Sequence, residues 1–270
     1  MLAVKRQEAI MNILTQAGCV DAVELGRHFA VSAKTIRKDF DQLEAMGLLE
    51  RVHGGAILKS NGNSGFPIAE RKRKNLEEKQ AIGKAALRYV DEGCTMILDG
   101  GTTTLELAKM LGDKKITVIT NDLRIAAELA YKDNVTLLVT GGVLRRDGAY
   151  TLLGRDAERF LERYKVTKLF LGASAIDFGR GLAVFSLDEA EIKKAMLRSA
   201  GKIICLADTS KFHKLALVSF CPLERVDVLI TDQRITPDDQ TRLEASGIEL
   251  HIADRMSAQN QTEGRIESDD

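Results

Sequence analysis

Apolar residues recur with the period of an α-helix in three segments near the N-terminus. Their spacing predicts helices over residues 5–17, 22–29 and 33–46. Asp21 and Ser32 stand directly before the second and third segments, where a short polar side chain commonly caps a helix. The pattern therefore predicts two helices joined by a tight turn, with a further helix in front of them.

A β-hairpin is predicted directly after the third helix. Residues 48–52 and 56–58 are short, largely apolar segments, and the turn between them at 53–55 contains two glycines. Three helices followed by such a hairpin make a winged helix-turn-helix domain, which we predict over residues 1–58. In domains of this kind, the second helix of the helix-turn-helix pair enters the major groove of DNA.

The pattern changes beyond the hairpin. Residues 59–75 begin with a stretch rich in Gly, Asn and Ser, which predicts a linker. A helix beginning at Pro67 is predicted to run through the basic residues 71–74 to Tyr89. Continuous apolar segments separated by helical patterns follow. These segments are residues 96–98, 116–119, 135–139, 169–171, 203–206 and 228–230.

This alternation predicts an α/β domain over residues 76–253, with a mostly parallel, Rossmann-like sheet that is covered on both faces. The fold class is therefore an α+β winged helix-turn-helix domain followed by an α/β domain. Residues 254–270 are polar and are predicted to form a disordered tail. A chain of 270 residues is long enough for both domains.

Composition narrows the class of protein. The net charge is zero, yet residues 1–74 carry twelve Lys/Arg against eight Asp/Glu, so the basic end is the one expected to meet DNA. The four cysteines are widely spaced and form no CxxC pair, which argues against a metal site or a disulfide framework. No cofactor is expected. No apolar run is long enough to span a bilayer, so a cytoplasmic protein without a membrane partner is expected.

The third predicted helix carries basic side chains opposite its apolar stripe. Because Ile36, Phe40 and Leu43 must face the core, their polar neighbours point outward, and Arg37 or Lys34 can bond a guanine edge. A solvated helix face is the alternative, but the cap, the turn, the stripe and the hairpin together favour binding to double-stranded operator DNA. The predicted DNA-binding residues are Ser32, Lys34, Thr35, Arg37, Lys38 and His53.

Residues 32–43 and 47–56 resemble the signature of the DeoR family of bacterial sugar-metabolism repressors, S-x-x-T-I-R-R-D-L followed by G-x-L-x-R-x-H-G-G-A. Lys38 stands where the family usually has Arg, and Phe40 where it has Leu. Lysine lacks the planar fork of arginine, so Lys38 is better assigned to a DNA phosphate than to a base. The resemblance extends from about Arg6 to Ala253 and implies a sensor domain similar to the sugar-phosphate isomerase and coenzyme A transferase folds.

Polar clusters follow several of the predicted strands. The clearest is the Asp99–Thr104 segment, where glycines and three hydroxyls open a helix, an arrangement that favours a phosphate site over a plain strand-to-helix turn. Ligands bind at the carboxyl ends of strands in such sheets. With the family resemblance, the predicted effector-binding residues are Asp99, Gly101, Thr102, Thr103, Thr104, Asn121, Gly141, Gly142, Asp177, Glu189, Asp208 and Lys211.

Two of these assignments leave alternatives open. Glu189 matches the family's E-x-E-x-K-x-x-M helix and can bond sugar hydroxyls, but a surface salt bridge to Lys193 explains it equally well. Arg145 can reach a phosphate, although a solvated loop is preferred. Residues 183–186 read Ala-Val-Phe-Ser where the family often has T-T-P-D, so the identity of the ligand does not follow from the resemblance.

The predicted function is a transcriptional repressor of a sugar, sugar-alcohol or amino-sugar catabolic operon. A phosphorylated sugar metabolite bound to the C-terminal domain would relieve repression. A homodimer or homotetramer is expected to place pairs of DNA-binding domains on repeated or palindromic half-sites.

A sugar-phosphate isomerase-like enzyme with an appended DNA-binding domain is the alternative. Proton transfer on a sugar phosphate needs a carboxylate base beside the substrate, for which Glu189, Asp177 and Asp208 are candidates. However, the acidic D-G-A-D-E cluster of such isomerases is absent, and residues 172–175 read Gly-Ala-Ser-Ala. The sequence therefore favours a binding pocket without turnover.

Overall fold

A computed structural model of the protein describes residues 1–58, 73–145 and 150–254. The start of the helix predicted from Pro67, most of the predicted linker and the predicted tail beyond residue 254 lie outside the described residues. Within the described segments, no helix combines the length and the apolar character that crossing a membrane would require.

The N-terminal unit contains three helices and a three-stranded sheet. The helices are α1 (Ala3–Ala17), α2 (Ala22–His28) and α3 (Ala33–Ala45), and the strands are β1 (Cys19–Asp21), β2 (Leu49–Val52) and β3 (Gly55–Leu58). Both predicted caps are present, because Asp21 accepts hydrogen bonds from the amides of Val23 and Glu24, and Ser32 accepts one from Thr35. The winged helix-turn-helix prediction is confirmed.

The wing has one strand more than the sequence predicted. Strand β1 pairs antiparallel with β3, so the strands lie in the order β1-β3-β2. The close approach requires Gly55, since a Cβ at that position would collide with the backbone oxygen of Val20. Three residues are too few to produce a detectable alternation, which explains why the sequence did not reveal β1.

A small apolar core holds this unit together. Ile36, Phe40 and Leu43 of α3 are almost fully buried, as their four- and three-residue spacing predicts. They pack against Ile10 and Leu14 of α1. The opposite face of α3 therefore remains available to solvent.

The C-terminal part is larger. Its helices are α4 (Leu76–Ala86), α5 (Thr102–Met110), α6 (Leu123–Leu129), α7 (Arg155–Glu162), α8 (Leu187–Ser199) and α9 (Pro237–Ala245). Its strands are β4 (Thr95–Leu98), β5 (Ile116–Thr120), β6 (Val135–Val139), β7 (Val143–Leu144), β8 (Leu152–Leu153), β9 (Val166–Leu171), β10 (Ala175–Asp177), β11 (Gly181–Val184), β12 (Ala200–Leu206), β13 (Val218–Cys221), β14 (Val228–Asp232) and β15 (Glu249–Ala253).

Seven of these strands form one sheet in the order β15-β14-β12-β9-β4-β5-β6. Every pairing in it is parallel. From β4 the chain proceeds outward through β5 and β6, and it then returns to place β9 on the other side of β4. The order of the strands thus reverses between β4 and β9, which is the point where sheets of this kind bind ligands.

Both faces of the seven-stranded sheet are covered. Ile97 and Leu169 belong to one buried cluster and Met96 and Phe170 to the other, because successive side chains of a strand point to opposite faces. The predicted α/β domain with a mostly parallel, Rossmann-like sheet is confirmed.

Several short strands were not predicted. Strands β10, β11 and β13 form a separate antiparallel sheet, β7 and β8 form a hairpin, and β15 extends one edge of the main sheet. Each of the first five has two to four residues. Partners elsewhere in the chain, and not local periodicity, decide whether such segments become strands.

The helix predicted from Pro67 to Tyr89 is wrong as one continuous element. Asn75 adopts a left-handed conformation with φ of 54°, so α4 begins only at Leu76. The Asn75 side chain donates a 2.9 Å hydrogen bond to Oδ1 of Asp208, a tertiary contact that local sequence does not reveal. The helix ends at Ala86 and continues as a 3-10 turn to Tyr89.

Candidate functional site

The outer face of α3 has the geometry expected of a DNA-reading helix. Lys34, Arg37 and Lys38 are exposed, and His53 is exposed in the turn between β2 and β3. Three basic side chains on one accessible helix face, beside a wing, match the charge and shape of a DNA groove.

The hydroxyls at the start of α3 also hold the helix in place. Ser32 Oγ lies 2.9 Å from Thr35 Oγ1, and Ser32 accepts the hydrogen bond of the Thr35 amide at 3.1 Å. Ser32 is exposed and Thr35 half-buried, so both remain near the surface that a DNA backbone would approach. Their capping role fixes the orientation of the first turn.

Asp39 points inward from the same helix. Its carboxylate accepts hydrogen bonds from Arg6 Nε at 2.6 Å and Nη2 at 3.1 Å, and both side chains are nearly fully buried. The hydrogen bond with Asp39 raises the pKa of Arg6. This internal ion pair attaches α3 to α1.

A pocket lies at the carboxyl ends of β4 and β9, where the strand order reverses. It encloses about 370 Å³, a volume that includes space open to solvent. The residues around it are Gly100, Gly101, Thr102, Thr103, Thr104, Gly172, Ala173, Ser174, Glu189, Lys193, Leu206 and Lys211.

The N-terminus of α5 forms one wall of this pocket. The helix starts at Thr102, and no side chain caps it at Gly101. Thr104 donates its hydroxyl hydrogen to the Gly101 carbonyl at 3.1 Å. A Cβ on Gly100 would collide with the Thr151 side chain, so a larger residue at this turn would require Thr151 to move. Helix amides without a side-chain cap are suited to binding an anion.

A buried ion pair forms the floor. Lys193 of α8 contacts the Asp99 carboxylate and donates to the Gly172 carbonyl at 3.0 Å, while the Gly172 amide donates to Asp99 Oδ2 at 2.8 Å. Burial raises the pKa of Asp99, and the Lys193 ammonium opposes this rise. Asp99, predicted as an effector ligand, is thus held beneath the turn by Lys193.

Lys193 was not predicted to line the site. It is only 2% exposed, yet its position places it at the pocket between Asp99 and Glu189. The only indication in the sequence that Lys193 lies near Glu189 was the family-like E-x-E-x-K spacing, which places the two residues one helical turn apart. That spacing was equally consistent with a surface salt bridge between Glu189 and Lys193.

Glu189 lies at the pocket and pairs with Arg145. Arg145 Nη1 is 2.9 Å from Glu189 Oε2, whereas Lys193 Nζ is 3.9 Å from Glu189 Oε1. The interpretation of Arg145 as part of a solvated loop is therefore corrected, since its side chain is four-fifths buried against α8. Arg145 lies outside the helix that carries Glu189, so nothing in the sequence indicated that the two residues form an ion pair.

Two other predicted residues support the pocket from behind. Asn121 accepts a hydrogen bond from the Gly100 amide at 3.1 Å and donates one to the Leu152 carbonyl at 3.2 Å, so it holds the glycine turn. Asp208 is buried, and its Oδ1 accepts from Asn75 and Ser210. Its second oxygen has no hydrogen-bond partner among the described residues.

The remaining predicted residues do not line this pocket. Gly141 and Gly142 form the turn after β6 with φ of 70° and 102°. Asp177 accepts hydrogen bonds from the amides of Gly179 and Arg180 and so closes the turn between β10 and β11. Within the described segments, no three His, Cys, Asp or Glu side chains gather into a metal-binding group.

Comparison with known proteins identifies the family. A model described as the DeoR-like helix-turn-helix domain matches residues 6–61, and one described as the DeoR C terminal sensor domain matches residues 74–233. The chain belongs to the DeoR family. The expected resemblance is confirmed over both parts of the chain.

Its relatives include named DeoR-type regulators. The chain is 37% identical to the HTH-type transcriptional regulator GlpR of Haloferax volcanii, over 92% of this chain and 97% of the relative. It is 32% identical to the Glycerol-3-phosphate regulon repressor of Escherichia coli K12, over 86% of this chain and 92% of the relative. Like them, this DeoR-family protein is a DNA-binding transcriptional regulator and not an enzyme.

Among solved structures, the chain is similar to ribose 5-phosphate isomerase A of Methanocaldococcus jannaschii. The sequence identity is 18%, the TM-score is 0.39, and the match covers 52% of this chain and 56% of that one.

The buried pair leads to a prediction about pH. Lys193→Met would leave the Asp99 carboxylate without its counter-charge, at a cost of about 3–5 kcal/mol in the free energy of unfolding at pH 8. The pKa of Asp99 would rise further in the folded variant, so the loss should grow as pH rises through that pKa and shrink as Asp99 takes up a proton below it.

Urea denaturation followed by circular dichroism at pH 5 and pH 8 measures this difference. Lys194→Met is the matched control, because Lys194 is the next residue of α8 and makes an exposed pair with Glu191. An equal loss for Lys193→Met at both pH values would contradict the assigned role.

Proposed function

We propose that this DeoR-family regulator represses a catabolic operon for a sugar, a sugar alcohol or an amino sugar. A phosphorylated metabolite of that pathway binds the pocket at the end of β4 and relieves repression. The observation that carries the proposal is the uncapped N-terminus of α5, set at the reversal point of the sheet between Lys193 and Lys211. The name of the Escherichia coli relative, Glycerol-3-phosphate regulon repressor, supports a phosphorylated effector.

The phosphate group is assigned to the start of α5. The amides of Thr102, Thr103 and Thr104 point along the helix axis toward the pocket, and the helix dipole favours an anion there. Lys211, which lines the same pocket, adds a positive charge. Together these groups offer the backbone donors and the cation that phosphate sites use.

The hydroxyl-bearing part of the ligand is assigned to the other side. Glu189 and Ser174 line that region and can accept or donate hydrogen bonds to a polyol. In this proposal Asp99 and Asn121 act by holding the turn, and Asp208 caps the short turn that carries Lys211.

DNA recognition is assigned to α3 and the wing. Arg37 and Lys34 contact base edges, Lys38 contacts a phosphate, and Ser32, Thr35 and His53 fix the register on the backbone. A homodimer or homotetramer presents two such helices to paired half-sites. Effector binding favours an arrangement in which the paired helices no longer match the spacing of the operator.

The effector proposal is tested with matched pairs of ligands. An operator fragment is selected from random DNA by the full-length protein, and its affinity is measured by fluorescence anisotropy. Glycerol 3-phosphate, fructose 6-phosphate, glucose 6-phosphate and N-acetylglucosamine 6-phosphate are each compared with the unphosphorylated parent. At least one phosphorylated compound should raise the dissociation constant for DNA about 5-fold or more, and its parent should not.

The variant Lys211→Met should weaken the response to the active compound by about 10-fold or more, since a charge-assisted hydrogen bond is lost. Lys214→Met, outside the pocket lining, serves as its control. Equal responses to a sugar and its phosphate, or none to any compound, would contradict the proposal.

The two DNA roles are separable by experiment. Arg37→Ala should cost about 1–3 kcal/mol of operator affinity and relax the sequence preference at one position. Lys38→Ala should weaken binding to all DNA sequences alike. It should also reduce the salt dependence of binding by the amount expected for about one phosphate contact. Arg198→Ala, an exposed residue of the sensor domain, is the control. Unchanged operator affinity in Arg37→Ala would show that Arg37 does not contact the DNA.

A further inference from the structure

One turn of α1 contacts two other helices. Its four consecutive residues, Lys5, Arg6, Gln7 and Glu8, divide between two faces because successive residues of a helix point about 100° apart. Lys5 and Glu8 share one face and reach α8 of the sensor domain. Arg6 and Gln7 share the other and reach α3.

The contact with α8 is at that helix's first turn. Lys5 Nζ lies 2.7 Å from Asp188 Oδ1, and the Leu187 amide donates a 3.4 Å hydrogen bond to Glu8 Oε2. Phe185, just before this turn, and Leu217 pack against the apolar core of the N-terminal unit. The DNA-binding unit and α8 are thus joined by both charge and apolar contact.

The same first turn of α8 forms a wall of the pocket. Glu189 follows Asp188 directly and lines the pocket, and Lys193 lies one turn further along. Since adjacent residues of a helix are 1.5 Å apart along its axis, a ligand that displaces Glu189 acts on the turn that holds Lys5 and Glu8. The pocket and α1 lie on different sides of one rigid element.

The contact with α3 is stiff. Arg6 holds Asp39 with two hydrogen bonds, and Gln7 bonds to Asp39 and to Gln42. Asp39 directly follows Lys38, which faces the DNA side. A displacement of α1 therefore moves α3 with it, because a buried, doubly bonded ion pair does not yield easily.

We propose that the Lys5–Glu8 turn of α1 couples the effector pocket to the DNA-reading helix, with Lys5 and Glu8 as positioning residues that transmit the state of α8. This coupling rests on the proposed function, because it specifies how effector binding changes operator affinity. Movements of 1–2 Å at helix contacts are a common form of such transmission. The polar contact at Asp188 is partly exposed, so it contributes a share of the coupling and not all of it.

The coupling is measured as the ratio of operator dissociation constants with and without a phosphorylated sugar. The probes are glycerol 3-phosphate, fructose 6-phosphate, glucose 6-phosphate and N-acetylglucosamine 6-phosphate, each at saturation. In Lys5→Ala the ratio should fall about two- to five-fold relative to the unaltered protein, the size expected for one partly exposed ion pair. The dissociation constant of the probe itself, measured by calorimetry, should change by no more than the same factor.

Two further variants separate this role from a structural one. The charge exchange Lys5→Asp with Asp188→Lys should restore the ratio, because the pair is re-formed in the opposite sense. Lys194→Ala removes a similar exposed pair from α8 without touching α1, and it should leave the ratio unchanged.

The outcomes are distinct for the two proposals. If the unaltered protein responds to no probe, the proposed function fails and this coupling fails with it. If the unaltered protein responds and Lys5→Ala responds equally, the proposed function stands and the coupling through α1 is overturned. A reduced ratio that the charge exchange does not restore also overturns it, because the effect then does not depend on the pair.

Discussion

The buried contact between Lys193 and Asp99 is the interaction on which the sensor domain depends most. It joins α8 to the end of β4, and the Gly172 backbone ties both groups to the end of β9. The strand order reverses at this point, so the pair fixes the two loops between which a ligand would sit. A charge pair so far from solvent needs further hydrogen bonds to offset its desolvation, and the Gly172 amide and carbonyl supply two of them.

Local signals in the sequence predicted most of the fold. Asp21 and Ser32 cap their helices through bonds to residues two or three positions away, so their roles follow from nearby residues alone. The seven parallel strands were equally visible, apart from β15, because each central strand is a continuous apolar segment. Short strands such as β1 and the left-handed Asn75 were missed, since distant partners determine them.

The sequence predicted only part of the pocket, because some of its residues are positioned by partners that are distant in the chain. The glycine turn at Gly100 and the hydroxyls that follow it form a local motif, and the structure brings them to the reversal point of the sheet. Lys193 pairs with Asp99, which lies 94 residues earlier in the chain. Arg145 pairs with Glu189, which lies 44 residues later. Spacing along one helix cannot reveal such pairs, whereas the fold makes them neighbours.

These contacts connect the proposed effector pocket, α8, α1 and α3 in one continuous series. Amide hydrogen exchange with and without the phosphorylated sugar that releases DNA tests this account most directly. We expect slower exchange at residues 102–104 and 187–189, together with a change in the first two turns of α1. Slower exchange confined to other parts of the sensor domain, with residues 102–104 unaffected, would contradict the account.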